Sequence, residues 1–321
     1  MNHTCRICNN GANNRVFLCR EKMLGWGDEF SYIQCANCRC LQISIVPDDL
    51  ARFYPAHYQS FNVQIIPQHG WRACLGARRD YTMSTGKGNI GKFLNRLIPA
   101  KADLLSMASV PAEKTMKILD VGCGRGALLS TLRRAGFSRL MGIDPYVSQD
   151  IEILPGLFVR KLSLEQVQEQ FDLIMFHHVF EHIESNLETL QLCHQRLLPH
   201  GRILLRFPVA DSYAWEEYSE NWVQLDAPRH LFLHTKTSLE LLANQTGLKI
   251  EKWFCDSDAF QFWGSELYLK GIPLFDQKGI ATDLEKHFSK AEMKSFAERA
   301  KFLNANGRGD QVVAILSVQN D

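Results

Sequence analysis

The stretch Ile118-Leu119-Asp120-Val121-Gly122-Cys123-Gly124-Arg125-Gly126 constrains this chain more than any other. The run Lys117 to Val121 is apolar and β-branched enough for a central strand. Three glycines at alternate positions then let the backbone turn sharply and approach a ligand with no Cβ in the way. Ala127 to Ala135 follows with helix-compatible sequence, and Gly136 stands where a C-cap glycine belongs. A second strand is expected from Arg139 to Ile143, ending in Asp144, 20 residues beyond Gly124. An acidic residue at that distance reaches the ribose hydroxyls of an adenosine lying across the strand ends. The pattern points to a nucleoside-containing cofactor.

Glycine spacing separates the cofactor classes. A nicotinamide or flavin fingerprint reads G-x-G-x-x-G, its last glycine packing the helix on the strand. Here the spacing is G-x-G-x-G, with Asp120 two residues before Gly122. That pattern resembles motif I of the class I S-adenosylmethionine-dependent methyltransferases. The resemblance implies that Asp120, Gly122, Gly124 and Gly126 face the methionine part of the cofactor, and that Asp144 holds its ribose. It continues at Phe171–His182 (FDLIMFHHVFEH), similar to the family's fourth strand and following loop. It continues again at Leu197–Pro208 (LLPHGRILLRFP), similar to the family's junction into a fifth strand. Helical spacing runs from Leu187 to Leu198, Pro199-His200-Gly201 should stop it, and a strand is expected from Gly201 to Phe207. The resemblance covers residues 115–257 and a last strand at Gln311 to Val318. It implies an α/β fold, a Rossmann-like doubly wound sheet of seven strands with the last one antiparallel. By the same resemblance Ser163 lies on the adenine side and His177 touches the cofactor through its backbone. One departure is Pro145 to Gly156, too short and proline-bounded for the usual helix.

The second signal is Cys5-x-x-Cys8 with Cys35-x-x-Cys38. Four thiolates so paired can close a tetrahedral zinc shell and leave no open position, so the role expected for the metal is structural. The 26 residues between the pairs accommodate a hairpin, and Phe17, Leu18, Trp26, Phe30, Tyr32 and Ile33 supply its apolar positions. Residues 1–48 thus read as a zinc-ribbon-like module with Cys19 and Cys40 to spare. So small a module draws much of its folding free energy from the metal. Leu50 to Tyr58 resembles the segment that follows zinc knuckles in a bacterial arrangement whose methyltransferase core often acts on sugars or cell-surface glycans. Residues 49–114 read as linker and helical cap, with Thr82 to Gly91 a loop or lid and 92–109 helical. Residues 115–321 read as the cofactor-binding domain, interrupted by an insertion at 259–306.

Composition narrows the partners. A net charge of +1 gives no electrostatic footprint for nucleic acid. No apolar run reaches bilayer-spanning length, and the first residues lack a signal-peptide core, so a cytosolic location is expected. There, ten cysteines argue for thiols and metal rather than disulfides. Methyl transfer requires in-line alignment and often removal of a proton, for which histidine is suited near neutral pH. Two clusters compete for that role: His177, His178, Glu181 and His182, and the segment Trp222 to His230 ending in Asp-Ala-Pro-Arg-His. We assign His182 as general base, His230 as its alternate, and Arg229 as a clamp for an anion or hydroxyl of the acceptor. His178, Glu181 and His182 resemble the metal-binding E-x-x-E-H of quinone-biosynthesis O-methyltransferases, but His178 replaces the first carboxylate, which argues against a divalent metal.

The Asn/Asp-Pro-Pro-aromatic run of amino-methyltransferases is missing after the fourth strand, so oxygen or carbon is the expected acceptor atom. Phe260 to Tyr268 interleaves aromatics with Gln, Ser and Glu, which suits a sugar-binding wall; the competing reading is a face buried on the core or in a homodimer. The resulting expectation is methyl transfer to a sugar, nucleotide-linked sugar, glycan or similar small polar molecule. The alternative is an RNA methyltransferase gripping its substrate with the zinc module, for which Arg6, Arg15, Arg20, Lys22 and Arg39 speak. A zinc-ribbon interaction protein without catalysis is the third reading, and the intact Asp120, glycine turn and Asp144 argue against it.

Overall fold

The structure, a computed structural model, describes residues 4–55, 70–276 and 278–319. The chain opens with β1 (Arg15–Arg20), β2 (Glu29–Gln34) and β3 (Leu41–Ile43), followed by helices α1 (Gly70–Thr85), α2 (Asn89–Leu97) and α3 (Ala102–Ser106). The glycine-rich unit is β4 (Lys117–Val121) and α4 (Ala127–Ala135), then β5 (Arg139–Ile143). Next come β6 (Ile151–Leu154), β7 (Leu157–Arg160), β8 (Phe171–His177), α5 (Asn186–Gln195), β9 (Leu197–Pro208) and α6 (Tyr213–Tyr218). The chain closes through β10 (Phe232–Leu233), α7 (Lys236–Gln245), β11 (Leu248–Cys255), α8 (Phe260–Leu269), α9 (Lys290–Ala305) and β12 (Gln311–Val318).

The main sheet runs β11-β12-β9-β8-β4-β5-β7-β6. β4 pairs in parallel with β5 on one side and β8 on the other, and β12 lies antiparallel between β9 and β11. Ile118, Leu119, Leu173, Ile174 and Met175 are buried because helices cover both sheet faces. α4 turns Leu129, Leu132 and Ala135 onto the sheet and ends at Gly136, whose φ of +102° and N–H bonds to Leu132 and Arg133 carbonyls form a C-cap. Strand order reverses at β4, where a ligand crevice opens at the strand ends.

The seven-stranded doubly wound sheet is present, and an eighth strand corrects the number. Pro145 to Gly156 forms no helix; it leads into β6, which pairs antiparallel with β7 as a hairpin at the sheet edge. Two further expectations are corrected. Thr82 to Gly91 is mostly helical, since α1 runs through Thr85 and α2 begins at Asn89, leaving a three-residue connection at 86–88. Pro199 and Gly201 do not separate helix from strand, because α5 already ends at Gln195 and β9 passes through them. Of the segment Leu50 to Tyr58, residues 56–58 lie outside the described residues.

A second sheet, β1-β2-β3-β10, holds the cysteine-rich segment. Its fourth strand comes from the residues just after His230, so this sheet is completed by the core. Cys5, Tyr32 and Leu41 join Phe176, Phe207 and Phe232 in one hydrophobic cluster. Among the described residues no helix is long and apolar enough to cross a membrane.

Candidate active site

A cavity of about 1410 Å³ lies over the carboxyl ends of β4, β5 and β8. One group of lining residues is Val121 and Gly122 at the end of β4, Ile143 to Tyr146 at the end of β5, and Leu162, Ser163 and Leu164 after β7. Gly122 has a φ of +68°, and a Cβ there would lie 2.6 Å from Val179 Cγ2, so only glycine fits. Asp144 is buried and fixed from two directions: Gly124 N–H donates to Oδ2 and Tyr146 N–H to Oδ1, each at 2.9 Å.

The motif residues therefore divide by role. Gly122, Asp144 and Ser163 line the cavity, whereas Asp120, Gly124 and Gly126 do not and shape it from behind. Gly124 spends its N–H on Asp144. Gly126 starts α4 in the left-handed region, where a Cβ would lie 2.7 Å from Ile153 of the edge hairpin. Asp120 is buried under the turn, and burial, reinforced by the charges of Asp103 and Asp144, pushes its carboxyl well above the usual range. His177, expected to touch the cofactor through its backbone, is not among the residues lining the cavity. β8 ends at His177, and His178 beyond it, at a left-handed φ of +55°, lines the cavity, while the His177 ring packs elsewhere, its Nε2 lying 3.0 Å from Ser106 Oγ and its buried Nδ1 without a partner. Burial lowers that imidazole to about 4.

The second group of lining residues includes Tyr54, His178, His182, Gln224, Asp226 and His230. His182 Nδ1 lies 2.8 Å from the Arg229 carbonyl, and a carbonyl only accepts, so Nδ1 carries the proton and Nε2 keeps its lone pair. Tyr54 Oη is 3.2 Å from the same Nδ1. His230 is held alike, Nδ1 at 2.7 Å from the Gln224 carbonyl, and burial lowers it to about 4. The two rings meet edge to face with centroids 4.7 Å apart. Glu181 lies beneath them, fully buried, with neither carboxylate oxygen in a hydrogen bond. Its Oε1 is 3.5 Å from His178 Nδ1 and 4.0 Å from His230 Nε2. Burial opposes its charge, yet His178, His182 and His230 together hold the carboxyl down at about 2.

Arg229 is the clearest correction. Its guanidinium does not line the cavity and is fully buried. It donates to Asp226 through Nε at 3.0 Å and Nη2 at 2.6 Å, to Glu21 Oε1 at 2.9 Å and to the Phe53 carbonyl at 3.2 Å. Two carboxylates and a carbonyl take four of its five N–H donors, and full burial keeps the fifth away from an acceptor in the cavity. Arg229 meets the site through its backbone carbonyl, which orients His182. Glu21 was missed in the sequence, and Tyr32, expected only as an apolar hairpin position, also donates its buried hydroxyl to the His230 carbonyl at 2.8 Å.

Arg206 was missed as well, although an arginine inside the apolar run Ile203–Phe207 was a visible signal. It lines the cavity and donates to Asp103 at 2.8 Å, Asp256 at 2.6 Å and His178 Nε2 at 2.8 Å. Because arginine only donates, the His178 proton sits on Nδ1, aimed at Glu181. α8 turns one face to the cavity and another to the core. Phe260 and Trp263 line the cavity, while Phe262 is buried and stacks on Phe296 at 5.7 Å.

Remote from the cavity, the sulfurs of Cys5, Cys8, Cys35 and Cys38 all lie within 4.8 Å of one another. Cys5 to Cys38 is 3.6 Å and Cys8 to Cys35 is 3.5 Å. Four sulfurs placed tetrahedrally about 2.3 Å from an ion would stand about 3.8 Å apart, so the set fits zinc. Ile7 N–H and Gln42 Nε2 point at the Cys5 sulfur from 3.4 and 3.1 Å, donors suited to a thiolate. Cys19 and Cys40 stand outside the group, and burial pushes both thiols up, Cys19 to about 12.

A family model described as a methyltransferase domain matches residues 92–252. The chain belongs to that family. Over 106 residues it is 39% identical to the mitochondrial ubiquinone biosynthesis O-methyltransferase of Rattus norvegicus, covering 28% of this chain and 30% of that one. Over 173 residues it is 27% identical to the ubiquinone biosynthesis O-methyltransferase of Roseobacter denitrificans, covering 50% of this chain and 62% of that one. The chain thus spans less than two thirds of these relatives. Among solved structures, an S-adenosylmethionine-dependent methyltransferase from Archaeoglobus fulgidus aligns with a TM-score of 0.42 at 21% identity, over 71% of this chain and 99% of that one. A geranyl diphosphate methyltransferase solved with S-adenosylmethionine aligns with a TM-score of 0.45 at 13% identity, over 74% of this chain and 94% of that one.

Proposed function

We propose that this methyltransferase transfers the methyl group of S-adenosylmethionine to an oxygen or carbon of a small polar acceptor, a sugar or nucleotide-linked sugar by preference. The observation carrying this reading is one cavity that presents Asp144 and the Gly122 turn together with the free Nε2 of His182. When bound, the cofactor supplies an electrophilic methyl on a sulfonium. Asp144, with both oxygens already aimed by backbone N–H groups, would take the ribose hydroxyls, and Gly122 would allow close approach of the chain. Leu162, Ser163 and Leu164 would flank the adenine. His182 Nε2 would accept the acceptor's proton, with the Arg229 carbonyl fixing the ring and Glu181 stabilising the imidazolium that forms. Asp226 and Gln224 offer polar contacts for hydroxyls, and Phe260 and Trp263 offer faces for a pyranose. The O-methyltransferase names of the matched relatives favour oxygen over carbon.

The four cysteines would hold a structural zinc within residues 1–48. Residues 49–114 would link and cap, and 115–321 would carry the catalytic core with its insertion at 259–306. Incubation with methyl-labelled cofactor and a small-metabolite extract, followed by identification of the labelled product, tests the acceptor class. On that product His182→Ala should cut kcat while leaving cofactor affinity intact. Full activity in that variant would remove His182 from the chemistry.

A further inference from the structure

The helical cap carries a surface that neither site uses. α1 and α2 form a hairpin in close contact at Gly91, where a Cβ would fall 2.1 Å from Thr82 Oγ1. A surface helix ordinarily turns its apolar stripe to the core. Here the glycine edge faces α1, and the stripe of α2 is left outward, with Ile90 50%, Phe93 61% and Leu97 66% exposed, and Ile98 just beyond 67% exposed. On α1, Trp71 and Leu75 are exposed on one face with Arg78, at spacings of four and three residues. Residues 70–101 also concentrate charge: Arg72, Arg78, Arg79, Lys87, Lys92, Arg96 and Lys101 stand against one acid, Asp80, which is buried on Arg79. The segment is therefore +6 in a chain whose net charge is +1.

We propose that α1 and α2 dock on an anionic lipid surface, with the apolar side chains at the acyl boundary and the cations among the headgroup phosphates. Outward apolar residues flanked by lysine and arginine, on a helix too short to span, define an interfacial helix. Charge decides between occupants. A second copy of this chain would cover the apolar stripe only by bringing +6 against +6. RNA would answer the cations and leave six large apolar side chains in water. A lipid surface satisfies both. α3 follows directly, with Ala102 and Asp103 on the cavity wall, so docking would hold the cavity beside the bilayer.

Flotation of the full-length protein with phosphatidylcholine vesicles, with and without phosphatidylglycerol, tests this. The protein should float only with the anionic vesicles. Phe93→Glu with Leu97→Glu should abolish flotation, and Lys92→Gln or Arg96→Gln should each weaken it about fivefold. All four positions are exposed, so cofactor affinity by calorimetry should match the parent and certify the fold. No flotation, or flotation indifferent to Phe93→Glu/Leu97→Glu, overturns the proposal. So does RNA retention lost on Lys92→Gln and kept in Phe93→Glu. A dimer in light scattering that dissociates on Leu97→Glu overturns it in favour of self-association.

Discussion

Arg229→Met would separate an arginine that holds the fold from one that holds a substrate. Methionine fills much of the same volume but strands two buried carboxylates, Glu21 at 2.9 Å and Asp226 at 2.6 Å, and leaves the Phe53 carbonyl without its donor. Removing one partner of a buried ion pair costs about 3–5 kcal/mol, and two stranded carboxylates place this variant near ~5 kcal/mol. Folded domains hold only about 5–15 kcal/mol in total, so the variant should unfold at low urea or fail to accumulate. Arg229→Lys is the gentler probe. It keeps the charge, but one ammonium cannot reach both carboxylates and the carbonyl, and a loss of ~2–3 kcal/mol is expected. Adding Glu21→Gln to Arg229→Met neutralises one stranded charge and should restore ~1–3 kcal/mol, a coupling that a double-mutant cycle reads directly. Urea unfolding followed by tryptophan fluorescence measures all of this without an acceptor. An unchanged midpoint for Arg229→Lys would refute the buried-clamp assignment and return Arg229 to the substrate.

Asp144→Ala should weaken S-adenosylmethionine binding by roughly 1–3 kcal/mol, the scale of hydrogen bonds to a charged group; unaltered calorimetric affinity would show that another acid holds the ribose. Elemental analysis of the purified protein should find one zinc, and Cys5→Ser or Cys35→Ser should release it and lower the melting temperature; a metal-free parent of equal stability would remove the zinc assignment. Acid should destabilise the protein in two stages. His230 folds neutral, with burial lowering it from 6.5 to about 4, so its contribution is complete above 6.5 and lost as the pH falls through 4. Glu181 folds charged, held at about 2 against an ordinary 4.5, so its share is present above 4.5 and lost as the pH falls through 2. His230→Gln should flatten the stability profile between 6.5 and 4, and an unchanged slope there would contradict the neutral, buried assignment.

The catalytic core was legible because local signals agreed with tertiary demands. β4, α4, β5 and β12 match the expected spans residue for residue, since glycine punctuation bounds the first three and an isolated apolar run marks the last. The paired cysteines converge as their spacing implies. What escaped depends on distance along the chain. Arg229 looked like a substrate clamp because Glu21 lies 208 residues away, and no local pattern announces that partner. His177 and His178 are neighbours in sequence, and only the end of β8 at His177 and the left-handed φ of +55° at His178 set which one reaches the cavity. Helix α1 was hidden by the Gly, Ser and Thr near its end, residues whose weak propensity is overridden by the helical hairpin.

β10 closes the cysteine-rich sheet from the far half of the sequence, and this has a bearing on synthesis. As the polypeptide leaves the ribosome, the thiols emerge among the first residues, yet the strand beside Leu41 and Gln42 follows about 190 positions later. Thr235, which donates to the Cys38 carbonyl, arrives later still. The cysteine-bearing strands can therefore complete their sheet only after the opposite end of the catalytic body has been made. Completion of that sheet is thus a long-range event, of the kind whose chain-closure cost slows folding.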